Sequence, residues 1–185
     1  MATETATEPI LLELDEATWG EQLDRAASWL GNTLMTQEKF RKFAEDTAAR
    51  MREPHIKKYL EDIVERARAH EELARGLTRA IGREPSSGRS LAGAALAKGA
   101  ELVADVVGLG GGARGNWKDL RQLLIESQDA LGAFAIVEQL GYALGLPELA
   151  DPAFRAIAEK TKDQLLILEY MLEMGPAAIL LHQDT

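Results

Sequence analysis

Two long runs of helical periodicity meet at Glu53-Pro54, and the shortness of their junction constrains the fold more than anything else in the chain. Before the proline, Leu23, Ala27, Leu30, Leu34, Ala44, Ala48 and Met51 recur at helical spacing; after it, Leu60, Ile63, Ala67, His70, Ala74, Leu77 and Ile81 do the same. The spacing predicts a helix over 18–52, opened by a capping box of Thr18 and Glu21, and a second over 54–81, stopped by Gly82. Proline breaks the first helix, yet its fixed φ and missing N–H suit the first turn of the next. Two such helices joined by so short a turn must fold back antiparallel.

The second half repeats this plan. The stretches "GREPSSGRS" and "GLGGGARGN" flank an amphipathic segment at 91–109, and together they read as a long crossover over 82–116. Asn116 is positioned to cap a third helix reaching Leu144, and "GLPELADP" leads into a fourth that ends near Gly175-Pro176, with Asp151-Pro152 as a second cap or a kink. No strand pattern appears. The expected fold is all-α: a four-helix bundle of two antiparallel hairpins joined by a long crossover with an extra amphipathic helix, the topology of ferritin-like folds. The bundle is expected over 18–176, with tails at 1–17 and 177–185.

A chain of 185 residues suits one domain, and a formal charge of −9 repels phosphate backbones and anionic membranes on average. Nucleic acid and membrane are therefore not expected partners. The absence of cysteine excludes disulfides, zinc-thiolate sites and thiol catalysis, and fits a cytoplasmic protein. The start "MATETATEPILLEL" lacks the basic and apolar regions of a signal peptide. Lys98, Glu101 and Asp105 interrupt the least polar segment, so it reads as amphipathic and not as a bilayer span.

His70 is the polar member of an otherwise apolar stripe, and a buried imidazole needs a hydrogen-bond partner. Gln37 and His70 stand at nearly equal distances from the first turn, as do Gln128 and Gln164 from the turn near Leu146. These counts predict a neutral polar core layer of Gln37, His70, Gln128 and Gln164, with Gln37 as the partner of His70. Glu138, placed near Phe134 and Gly141, and Glu159 are the alternative: a carboxylate pair that, with His70, holds a metal ion.

The hairpin half "REPHIKKYLEDIVERARAHEELARGLTRAIG", the Gly-rich crossover, and "GAFAIVEQLGYALGLPELA" before "AIAEKTKD" resemble bacterial ferritin-like stress proteins of the YciE/YciF type, over about residues 20–172. The resemblance implies a ferritin-like fold and a level in the bundle where relatives hold two metal ions, iron or manganese. Such a centre takes glutamates from two helices and Glu-x-x-His from the other two. This chain departs from that set. The Glu-x-x-His position before His70 is Ala67, preceded by Arg66; Gln37 stands for an inward glutamate; Ser127 and Gln128 stand for an acid-histidine pair; and Glu159 is followed by Lys160.

The glycine cluster from Gly108 to Gly115 lacks the Lys-Ser/Thr of a P-loop and follows a helix, so it reads as a hinge, and no serine near His55, His70 or His182 sits in a nucleophile elbow. The expectation is a bundle with a degenerate di-metal site and no cofactor, a structural or interaction protein linked to stress by resemblance. The alternatives are an iron- or manganese-binding protein with redox or storage activity, and a small-molecule-binding bundle. The apolar segment 91–109 and the tail "AAILLHQDT", with Ile179, Leu180 and Leu181, predict a homodimer.

Overall fold

The computed structural model describes residues 14–84 and 113–181; the crossover segment at 91–109 and the last tail residues lie outside the described residues. Four long helices make up almost all of it: α1 (Glu16–Arg50), α2 (Pro54–Ala80), α3 (Ala113–Leu144) and α4 (Pro147–Pro176), followed by a π turn, Ala177–Leu181. No strand occurs among the described residues, and no described helix is long and apolar enough to cross a membrane.

The helix ends follow local chemistry. α1 begins earlier than the Thr18–Glu21 box predicts, because Asp15 is the cap: its carboxylate accepts from the Thr18 backbone N–H at 2.8 Å and the Thr18 hydroxyl at 2.9 Å. Two glycines at φ +67° and +66°, Gly82 and Gly145, close α2 and α3 in the same manner. Arg83 N–H donates to Thr78 O and Leu146 N–H to Gly141 O, the long bond of a Schellman ending, which needs the left-handed conformation that glycine adopts freely.

Two further boundaries differ from expectation. Asn116 caps nothing, since α3 already starts at Ala113; it is buried in the helix and its amide donates to Glu53 at 3.3 Å. Asp151-Pro152 is not a second cap, because α4 is continuous from Pro147, the first helical position that proline suits, and Pro152 lies inside it. The fourth α-helix ends at Pro176, as expected, and the chain goes on through one π turn to Leu181, where Ile179 and Leu180 are exposed.

Side-chain pairs fix the directions. Arg50 meets Asp119, Trp29 meets Ala133 and Gln37 meets Ala130, so α3 runs antiparallel to α1. His55 meets Glu173 and His70 meets Glu159, so α4 runs antiparallel to α2. Each helix thus has two antiparallel neighbours, with α2 and α3 parallel across a diagonal, and α2 and α4 pack least closely. Two apolar clusters fill the interior, each drawing on all four helices. One is built around Phe40, Ile56, Leu60, Leu123 and Ile167; the other around Leu30, Leu77, Phe134, Val137 and Leu149. Leu23, Ala27 and Leu34, expected in the stripe of the first helix, lie only partly buried at the edge of the second cluster.

Candidate functional site

Between the two apolar clusters lies a polar layer different in membership from the predicted one. His70 is buried, but its partner is Glu159: Nε2 stands 2.9 Å from a carboxylate oxygen. Gln37 is fully buried and donates its amide to the Ala130 carbonyl at 2.9 Å instead of meeting His70. Gln128 and Gln164 stand level, as counting from the turn predicts, and hydrogen-bond at 2.6 Å, but on the outer surface. The count sets height along the bundle and leaves rotation about each helix free, which is why it matched the levels and misplaced the faces. Glu138 accepts from the Tyr142 hydroxyl at 3.1 Å one turn along α3 and does not join Glu159.

The member that the expected layer lacks is Lys160. Its side chain is buried at the bundle centre, with Nζ 4.5 Å from the ring centre of Phe40 on α1 and 5.9 Å from that of Phe134 on α3. His70, from α2, packs edge-on against the same Phe134 ring at 5.9 Å. Nζ has no hydrogen-bond partner among the described residues, and neither does the Gln37 side-chain oxygen. The aromatic faces compensate part of the lost hydration of the ammonium through their quadrupoles. Burial lowers the Lys160 amine from 10.5 to about 7, against the opposing pull of Asp163 and Glu159. Burial also lowers His70 from 6.5 to about 4, aided by the Lys160 charge, so the imidazole is neutral at pH 7 and donates Nε2–H to Glu159.

One turn along α4, Asp163 is buried and already neutralised. Arg66 reaches it at 2.7 Å and Tyr59 donates its hydroxyl at 2.8 Å, a bond that, after burial, raises the phenol's pKa. Glu126, also buried, is held by Lys39 at 2.8 Å and Gln122 at 2.8 Å. Lys160 and Asp163 were legible in principle. Leu149, Ala153, Ala156, Lys160, Asp163, Ile167 and Met174 form the buried stripe of α4, and the stepping that singles out His70 singles out these two as well.

These donors do not fit the pair of hard cations that the family resemblance implies. Hard cations need several free carboxylates converging on one point. Here Asp163 and Glu126 are committed to side-chain cations, and an ammonium stands beside the remaining carboxylate and imidazole. No group of three or more His, Asp or Glu among the described residues stands close enough to hold a metal. No family model, curated protein or solved structure matches the chain.

Proposed function

We propose that the chain is a ferritin-like bundle of the YciE/YciF type in which a buried lysine amine, that of Lys160, stands in the place of metal chemistry, and that it acts as a structural or interaction protein in stress physiology. The observation that carries this reading is the placement of Lys160 among Phe40, Phe134 and His70 at the centre, where side chains from all four helices converge. A lysine there, when protonated, supplies positive charge without recruiting ligands, and its neighbours Glu159 and Asp163 are the carboxylates a metal would otherwise draw on. The up, down, down, up helix order supports the ferritin-like part, with the end of α2 beside the start of α1 and the start of α3 beside the α1–α2 turn at the opposite end.

The test is metal analysis of protein produced with iron and manganese in excess and purified without chelator. The expected content is below about one ion per chain, as the scarcity of free carboxylates dictates. Two ions per chain, with carboxylate and imidazole ligands by spectroscopy, would overturn the reading in favour of a redox or storage protein.

A further inference from the structure

The two hairpins differ on their outer faces. On α1 and α2 the charges answer one another: Arg41 bridges Glu45 and Glu71, Arg75 reaches Glu38 and Glu71, and Arg68 reaches Glu45. On α4 an apolar stripe stands exposed among charged residues. Of the ten large apolar side chains that stand exposed among the described residues, only Leu14 precedes α3; Phe154, Leu165, Leu168 and Leu172 lie on α4, and Ile125 and Ile136 on α3 face the groove beside Trp29 of α1. The Gln128–Gln164 bond ties α3 to α4 at the surface.

The pattern on α4 is specific. Phe154, Ala158, Thr161, Leu165, Leu168 and Leu172 are all exposed and alternate by four and three, the seam of a coiled coil. Thr161 turns its hydroxyl to the Ile157 carbonyl at 2.8 Å, so its polar atom is satisfied within the helix. One flank of the seam, through Ile157, Gln164 and Met171, is partly buried, and Gln164 bonds Gln128 of α3. The other flank carries Arg155, Lys162 and Glu169 at heptad spacing, all exposed and without an ion-pair partner among the described residues. Positive charge thus occupies the N-terminal part of the flank and negative charge the C-terminal part.

We propose that this face binds a second copy of the chain, α4 against α4, antiparallel about a two-fold axis between Leu165 and Leu168. That arrangement sets Leu165 level with the partner's Leu168, and Lys162 beside the partner's Glu169. It is self-complementary, as an isologous interface requires. A parallel seam would bring like-charged flank residues to the same level. The seam from Phe154 to Leu172 runs about 27 Å at the rise of an α-helix. The proposal is independent of whether the centre holds metal.

Because the chain has no cysteine, single-cysteine variants of the full protein report the geometry directly. Leu168→Cys lies next to the axis and is expected to give a covalent dimer with a short bis-maleimide. Phe154→Cys is expected to give none, since the two copies of that residue would stand about 37 Å apart along the seam. Light scattering is expected to give twice the chain mass at micromolar concentration, and Leu165→Glu to raise the dissociation constant more than about tenfold, with helix content unchanged at so exposed a site. Lys162→Glu is expected to weaken the dimer, and Lys162→Glu combined with Glu169→Lys to restore it. A monomeric wild type overturns the proposal, as does a dimer that survives Leu165→Glu or cross-linking at Phe154→Cys as efficient as at Leu168→Cys.

Discussion

At the scale of single residues, Lys160 makes the fold depend on pH, and the sign follows from its depressed pKa. Between about 7 and 10.5 the unfolded chain binds a proton that the folded chain does not, so stability rises with pH through that window and the penalty of the buried charge is complete below it. His70 acts in the same sense lower down, where stability falls as pH drops from 6.5 through about 4. Lys160→Met keeps the length of the side chain and removes its charge. It is expected to flatten the upper part of the profile and to leave the protein as stable or more so, by up to about 4 kcal/mol at pH 6, as replacing buried charge by apolar atoms often does. Urea midpoints for the variant and the wild type across pH 6 to 10 give the comparison; parallel profiles would mean that folding leaves the Lys160 pKa unchanged.

At the scale of elements, the α3–α4 hairpin depends on one close approach. A Cβ on Gly141 would lie 2.6 Å from the backbone nitrogen of Ala150 and 2.9 Å from its Cβ, in the first turn of α4. Gly141 O also accepts the Leu146 N–H that closes α3, so the helix end cannot move away without losing its ending. Gly141→Ala is expected to cost about 2–3 kcal/mol, the scale of a forced overpacking, while Gly132→Ala, where an added Cβ meets nothing within 4 Å, should be neutral or slightly stabilising. Thermal unfolding of the two variants separates a backbone contact from mere helix propensity; equal melting temperatures would remove the close approach as a determinant.

At the scale of the molecule, neither hairpin has a core of its own. Phe40, Ile56 and Leu60 pack with Leu123 and Ile167, and Leu30 and Leu77 with Phe134 and Leu149, so both apolar clusters need both halves of the chain. Isolated helices of this length gain most of their stability from packing of the apolar stripe and not from intrinsic propensity. Residues 1–84 alone are therefore expected to show reduced helicity and no cooperative transition. Circular dichroism of that fragment, read against the full chain, checks this: a sharp melting curve for the half-chain would show an independent folding unit.

The sequence by itself determined the number of long helices and most of their ends, because helical periodicity, Pro54, Gly82 and Gly145 act within a few residues of where they stand. It also marked His70 as buried and set Gln128 level with Gln164. What it did not determine is how each helix turns about its own axis against its neighbours, since a rotation that changes every partner leaves heights unchanged. That rotation gave His70 to Glu159 instead of Gln37, and put Gln128 and Gln164 on the surface. It also brought Lys160 inward between Phe40 and Phe134. The first set of features rests on local backbone chemistry; the second was decided by the packing of four helices at once, and only the tertiary structure carries it.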